Sequence, residues 1–540
     1  MCPRFFYALT DCLQAGMISN RRKEVTAMGK NKYGQYFTKD VIASFMVDLI
    51  RHPHSCSVLE PSCGRGVFID ELRKAGYEDI VGYEVDQSLS TTYSCVKHES
   101  FISSPVSDKY DVIIGNPPYI RWKNLEDDLK KELNNCTLWK TYFNSLCDYL
   151  FIFILKSIEQ LREEGELIFI CSEYWLNTTN SLSLRNYMCK NGCISEIYHF
   201  KEAPLFEHVN ASLIIFRYIK TKNKDSSINL YMYSGDGCPS SEELKTKACF
   251  QTSIIPQFKE GGRWILATES IQKELLMFEK SCSKPALLTQ SFFTIGDFFD
   301  IANGMVSGLD KAFSVSDDEK KSLNELEKSV LIKVLKAKNL SRFYHSGFSE
   351  YIFIQDELTE KDFQDEYPSF YNHFEKYKEE LNKRYNYNKD IPFWKFVFPR
   401  SQRLFEKPVD KIFVPCKERI SNKEYVRFCY AKQDFFPLQD VTCIVPKKEC
   451  KESIFYVLGY LNTPQVFNWL LHNGIIKGYI VEFSEKPISQ IPFRKINWNK
   501  SKEVEIHNSI TFKVKECIEN RDSSIIQEIN NLFNSLFYGE

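Results

Sequence analysis

Asn116, Pro117, Pro118 and Tyr119 end an apolar run, Asp111-Val112-Ile113-Ile114-Gly115, and these four types in this order suit one demanding reaction. An exocyclic amine such as adenine N6 attacks an electrophile poorly, because its lone pair is delocalised into the ring. An Asn side-chain oxygen and the carbonyl of the next Pro can each accept one of its hydrogens, which localises the lone pair and aims it at a sulfonium methyl group. Each Pro fixes φ and lacks an N–H, so the turn is stiff and its carbonyls are free. Tyr119 offers a flat face for an unstacked base. The bland alternative is a strand ended by prolines, and the segments upstream argue against it.

Ser57-Val58-Leu59-Glu60-Pro61-Ser62-Cys63-Gly64-Arg65-Gly66 is a second apolar run ending in an acidic, glycine-containing turn. Gly64 and Gly66 allow close approach of backbone to a ligand, and Glu60 stands where it can take the ammonium of a bound amino acid. A third run, Ile80-Val81-Gly82-Tyr83-Glu84-Val85-Asp86, ends in acid at about the separation that puts a carboxylate on ribose hydroxyls in a βαβ unit. Together these spacings describe a nucleoside site.

Tyr33-Gly34-Gln35-Tyr36-Phe37-Thr38, the Glu-Pro-x-Cys-Gly-x-Gly turn, Gly-Tyr-Glu-Val-Asp and Asn-Pro-Pro-Tyr follow one another in an order that resembles the gamma-class, TaqI-like N6-adenine DNA methyltransferases of restriction–modification systems. The resemblance is strong over residues 28 to 218. It implies an α/β fold: a Rossmann-like S-adenosylmethionine-dependent methyltransferase domain with a mixed seven-stranded sheet, followed by a C-terminal α+β target-recognition domain. It implies that Thr38 and Glu60 hold the methionine moiety of the cofactor. Ser62, Gly64 and Gly66 form the turn beneath it, Glu84 takes the ribose, and Phe101 packs on the cofactor adenine. The family has Asp-Phe where this chain has Ser100-Phe101 preceded by Glu99, and either Ser100 or Glu99 can bind the adenine amine. Asn116, Pro117, Pro118 and Tyr119 become the catalytic set. Phe206, in the loop Pro204 to Val209, becomes the second aromatic against a flipped adenine, beside Tyr119.

The elements that must position these residues are legible in the apolar periodicity. Asp40 to Arg51 reads as a helix with one apolar face, Asp148 to Leu161 as a second, and Gly165 to Ile170 as the strand after it. Glu196 to Phe200 and Ala211 to Phe216 read as an antiparallel hairpin closing the sheet. The expected organisation is an extension over 1–27, with Met28 as the natural start, a catalytic domain over 28–240, a linker or helical connection over 241–290, and a DNA target-recognition domain over 291–540. Lys220 to Ser227 and Ser234 to Lys247 read as polar linkers.

With 540 residues the chain exceeds the roughly 250 to 300 residues at which single cores stop growing. The 18 Cys include no Cys-x-x-Cys pair, and even Cys189 and Cys193 lack a second pair suited to zinc, so no metal is expected. Pro415-Cys416 copies the nucleophile of cytosine-C5 chemistry, but an exocyclic nitrogen needs no covalent catalyst. No secretory or membrane segment is read, which fits the cytoplasm of a bacterial or phage-infected cell. Net charge is −1, so DNA must be met by a local patch. Lys383 to Arg427 supplies the densest basic window, with Lys383, Arg384, Lys395, Arg400 and Arg403 as candidate DNA contacts and Tyr385, Tyr387, Phe393, Trp394 and Phe396 as interleaved aromatics.

The expected partner is double-stranded DNA carrying a specific sequence, beside a separately encoded cognate endonuclease, with the protein a monomer. RNA bases and protein glutamine amides are the alternative acceptors. A C-terminal half of this size argues for DNA, and the intact tetrapeptide argues against a non-catalytic subunit. No metal-binding acidic cluster marks a fused nuclease.

Overall fold

The computed structural model describes residues 34–89, 93–206, 212–225, 227–235, 237–284, 292–384, 390–420, 423–477 and 480–539. The expected N-terminal extension, Tyr33, Tyr385 and Tyr387 lie outside them. The chain divides into two compact units between Thr268 and Glu269.

The first unit is built on strands β1 (Val58–Glu60), β2 (Ile80–Tyr83), β3 (Val96–Lys97), β4 (Tyr110–Gly115), β5 (Leu161–Ser172), β6 (Cys193–His199), β7 (Leu213–Ile219), β8 (Ser227–Tyr233) and β9 (Phe250–Pro256). They form one sheet in the order β3-β2-β1-β4-β5-β7-β6-β8-β9. β1 runs parallel to β2 and β4, with Val58 opposite both Ile80 and Val112. β5 runs parallel to β4, and β7 is antiparallel to both of its neighbours.

Both faces of the sheet are covered, so its inner strands are apolar on both sides. Helices α1 (Asp40–Asp48) and α2 (Val67–Lys74) bury Ile42, Phe45, Met46 and Phe68 against the face carrying Val112, Ile114 and Ile168. Helices α3 (Asp127–Asn135), α4 (Tyr149–Gln160) and α5 (Leu182–Asn191) cover the other face, where Ile113, Leu167 and Phe169 point. Strand order reverses between β1 and β4, since the chain first builds outward through β2 and β3 and then returns to add β4 on the other side. In an open α/β sheet, a crevice forms at the carboxyl ends of the strands at such a reversal.

The sheet has nine strands, not the seven expected. β8 adds parallel to β6 and β9 antiparallel to β8, pairing Ile197 with Leu230 and Leu230 with Ser253. In β8 the burial begins exposed, buried, exposed, buried, a one-faced pattern that polar neighbours conceal in the sequence. Segment 241–290, expected as a connection, is therefore divided. β9 belongs to the sheet, while helix α6 (Glu269–Ser281) belongs to the second unit, where Phe278 packs on Tyr460 and Phe537 and Glu279 accepts from Trp469 Nε1 at 2.9 Å.

The second unit mixes helices with small sheets. β10 (Phe299–Asn303), β14 (Lys411–Pro415), β16 (Cys429–Ala431) and β18 (Val441–Pro446) form one, in the order β10-β18-β14-β16. β11 (Ser314–Val315), β12 (Leu331–Leu335), β13 (Ser349–Ile352) and β17 (Phe435–Pro437) form another, in the order β11-β13-β12-β17. A core rich in phenylalanine joins them.

Candidate active site

A cavity of about 280 Å³ opens where the carboxyl ends of β1 and β4 part. Thr38, Glu60, Ser62, Gly64 and Glu84 line it, and so do Ser100, Phe101, Asn116 and Pro118. Gly66, Pro117, Tyr119 and Phe206 are not among its lining residues. Gly66 acts behind the wall: its φ of +86° starts α2, and a Cβ there would meet the Tyr93 ring at 2.4 Å. Only glycine suits that turn.

On the β1 side, Glu84 ties two turns together, accepting the Gly64 N–H and the Asp86 N–H at 2.7 Å each. Burial pushes its carboxyl up, partly offset by those backbone donors. Glu60 is 1% exposed and its Oε2 has no hydrogen-bond partner. Burial, with Glu84 and Asp70 adding like charge, drives the Glu60 carboxyl well above the usual range. A buried, unpartnered carboxyl facing a cavity suits a cationic ligand, whose arrival would restore its charge.

At the other end, Ser100 lines the cavity and caps the short turn Phe101–Ser103 by accepting the Ile102 N–H at 3.2 Å. Glu99 is exposed and not among the lining residues, so geometry favours Ser100 of the two alternatives. Phe101 is buried against Tyr83 and Phe153, with ring centroids 5.9 and 5.4 Å away.

The β4 side is organised around Asn116. Its Nδ2 donates to Tyr36 O at 2.7 Å and to Thr38 Oγ1 at 3.1 Å, and Ser62 Oγ donates to its backbone carbonyl at 3.1 Å. With both amide hydrogens engaged, Oδ1 is left as the side chain's acceptor. The Tyr119 hydroxyl donates to that Oδ1 and also lies 2.7 Å from Ile170 O. One proton thus has two acceptors, so Oδ1 can be released to another donor without stranding the phenol. Burial keeps the Tyr119 phenol far above its ordinary pKa, hence neutral.

Phe206 is 4% exposed, and the residues after it, 207–211, lie outside the described ones. Tyr36 was not singled out by sequence reasoning. Its ring stacks on Tyr119 at 5.9 Å and 20° and lies 6.3 Å from Phe206, so it touches both aromatics expected to hold a base. The available signal was an aromatic two residues before Thr38.

Residues 67–206 match the model of the Eco57I restriction-modification methylase family. The chain is 43% identical over 508 residues to the type II methyltransferase M.HindII of Haemophilus influenzae, covering 93% of this chain and 97% of that protein. M.HincII, from the same species, is 42% identical over 501 residues with the same coverage. The chain belongs to the type II restriction–modification methyltransferases. Membership carries with it S-adenosylmethionine-dependent methylation of DNA. Among solved structures, the type IIL restriction-modification enzyme MmeI in complex with DNA aligns with a TM-score of 0.57 at 11% identity, over 93% of this chain and 72% of that one, a likeness of fold.

In this methyltransferase the basic window looks different from the expectation. Phe393, Trp394 and Phe396 are buried in the second unit's core, Trp394 stacked on Phe363 at 4.7 Å, so none is a groove-reading or stacking side chain. Arg384 donates to the carbonyls of Ser307, Pro392 and Lys395 at 2.7 to 3.0 Å. Burial lowers its pKa to about 10, and a guanidinium so engaged fastens a loop rather than a phosphate. Lys395 pairs with Glu357 at 2.8 Å and Lys383 with Glu379, while the Arg400 guanidinium lies over Phe398. Arg403 is exposed. Cys416 stands in the second unit with its thiol pushed up by burial, unlike an activated nucleophile. Among the described residues no group of three or more His, Cys, Asp or Glu is placed to hold a metal, and no helix is long and apolar enough to cross a membrane.

Proposed function

We propose that this methyltransferase is adenine-specific, transferring a methyl group to N6 of an adenine flipped out of duplex DNA at a defined sequence. The reading rests on one observation above all: Asn116 is held by its amide nitrogen, through Tyr36 O and Thr38 Oγ1, so that its oxygen is the group presented. An acceptor fixed in this way suits an amine with hydrogens to give and would repel a carbonyl.

S-adenosylmethionine supplies an electrophilic methyl on a sulfonium. The cavity suits it, since the partnerless Glu60 Oε2 matches its ammonium and Gly64 lines the same space without a side chain to fill it. Thr38 and Ser62 would flank the methionine moiety, Glu84 would offer its remaining lone pairs to the ribose hydroxyls, and Ser100 and Phe101 would meet the adenine. Asn116 Oδ1 and the Pro117 carbonyl each accept one N6 hydrogen, which shifts the amine toward tetrahedral geometry and frees its lone pair. Tyr119 and Phe206 hold the base between them, and Pro118 stiffens the turn. The surplus proton then leaves the amine for solvent.

The second unit would read the target sequence, with Arg403 and Lys383 as the exposed cations suited to phosphates. The protein would work as a monomer beside DNA in the cytoplasm, protecting sites that a separately encoded endonuclease cuts. The test is single-molecule sequencing of DNA from a methylation-free host expressing the protein or Asn116→Ala. N6-methyladenine at one recurring motif, absent with the variant, is expected. Methylated cytosine, or an unmodified genome with soluble cofactor-binding protein, would overturn the reading.

A further inference from the structure

Lys156 is the only charged residue in the first ten of α4, inside a helix that is otherwise almost wholly apolar, and it is 1% exposed. An ammonium so buried is costly unless each hydrogen finds an acceptor. Its Nζ donates to Phe101 O at 2.7 Å, Ile102 O at 2.6 Å and Ser104 O at 2.7 Å, and it lies 5.1 Å from the Phe101 ring centre. All three acceptors belong to one short turn. Gln160, a helical turn further on, donates to Pro105 O at 2.6 Å and to Ser104 Oγ at 3.3 Å.

The helix and the turn that these bonds join are two walls of one cavity. Tyr149 and Phe153 from α4 line it, and Ser100 and Phe101 line it from the turn. Residues 149, 153, 156 and 160 fall along one helix face, so the same stripe that faces the ligand space also carries the fastening. The turn has only three residues of 3₁₀ helix, and its own bonds, from the Ile102, Ser103 and Ser104 N–H groups and the Ser104 hydroxyl, run within residues 100–104 and do not tie it to α4. An ammonium is also the one side-chain group with three donors and no acceptor, which suits a nest of three carbonyls.

We propose that Lys156 is a positioning residue for the cofactor's adenine: by gathering the Phe101, Ile102 and Ser104 carbonyls onto α4, it fixes the Phe101 ring and Ser100 against that end of the cavity. The proposal rests on the reading that this end receives the adenine. It predicts an effect on cofactor affinity and little on the methyl-transfer step, since Asn116 and its partners lie on the β4 side.

The test uses the full-length protein and Lys156→Met. Two quantities are compared: the affinity for 5′-methylthioadenosine, which keeps adenine and ribose but has no amino-acid end, and KM and kcat for S-adenosylmethionine on DNA from a methylation-free host. Stranding the Ile102 and Ser104 carbonyls, with Phe101 O left to its two Ser104 donors, should weaken methylthioadenosine binding on the order of 10- to 100-fold, with KM rising in parallel and kcat within about twofold. Unchanged affinity, or a fall in kcat with KM unmoved, would overturn the proposal and leave Lys156 a stabiliser of the fold alone. Wild-type protein that binds S-adenosylmethionine but not methylthioadenosine would instead overturn the underlying reading of the cavity. Should Lys156→Met fail to fold, Gln160→Met decides: a loss of about threefold in methylthioadenosine affinity supports the clamp, and no loss refutes it.

Discussion

Around Asn116 the polar side chains hold one another in place yet keep capacity to spare, whereas along the Lys383 to Arg427 window the charges largely end on protein partners. Asn116 Oδ1 shares a donor that can turn to Ile170 O, and Glu60 Oε2 has none. In the window, Arg384 and Lys411 are consumed by carbonyls, Lys407 by Asp300, and Lys423 and Arg427 by the buried Glu418. Both regions are rich in chemistry-bearing residues. The difference lies in where spare hydrogen-bonding capacity stands: Glu60 and Asn116 line the cavity, where a ligand can use it, whereas the unpartnered Trp394 Nε1 and Glu418 Oε2 of the window line no such space and only cost stability.

The largest effect that would break this contrast is at Asn116. Asn116→Ala should lower kcat by at least roughly 10²- to 10³-fold while S-adenosylmethionine affinity measured by calorimetry stays within about threefold; near-normal turnover would mean that the presented oxygen is idle. Tyr119→Ala should raise KM for DNA by on the order of 10- to 100-fold through lost base stacking, with Tyr119→Phe within about threefold of wild type, since the ring remains. Equal losses in both variants would assign the effect to the hydroxyl.

Glu60 tests the meaning of its partnerless oxygen. Glu60→Gln should raise KM for S-adenosylmethionine by roughly 10-fold or more, as a charge-assisted bond is lost. Its stability should move the other way. The folded carboxyl's pKa lies above its unfolded value, so its contribution is full below the unfolded pKa and is lost as pH rises through the folded one. Gln copies the neutral form, so the free variant should melt above wild type at neutral and alkaline pH, the two converging in acid. Identical melting profiles would remove the strain argument. In the window, Arg384→Ala should lower the melting temperature by roughly 5 °C with the salt dependence of DNA binding unchanged, whereas Arg403→Ala should leave melting alone and reduce the salt slope by about one. The reverse pattern would make Arg384 the DNA contact.

The site was more legible than the surface because its residues sit on adjacent strand ends, where sequence spacing translates directly into space. Glu60 and Asn116 close β1 and β4, which pair side by side, and an apolar strand followed by a turn residue is a local pattern. Tyr36 escaped notice because its role comes from meeting Tyr119 and Phe206, residues far along the chain. β8 and β9 escaped because each is a short run set against the polar stretches Lys220 to Ser227 and Ser234 to Lys247, which read together as linker. Phe393 and Trp394 misled because an aromatic among cations has the same sequence whether its ring faces DNA or the core around Phe363.

The amino-acid sequence by itself determined the α/β alternation, the cavity's carboxylates and glycines, and the Asn-Pro-Pro-Tyr turn, because each depends on residues a few places apart and on backbone geometry. Tertiary structure alone decided that the sheet grows to nine strands, that Asn116 is gripped by Tyr36 and Thr38, that Lys156 draws three carbonyls onto α4, and which cations of the basic window remain exposed. Those outcomes depend on which distant groups meet out of water, and hydrogen-bond satisfaction in a packed interior is a property of the assembled neighbours rather than of any one stretch of chain.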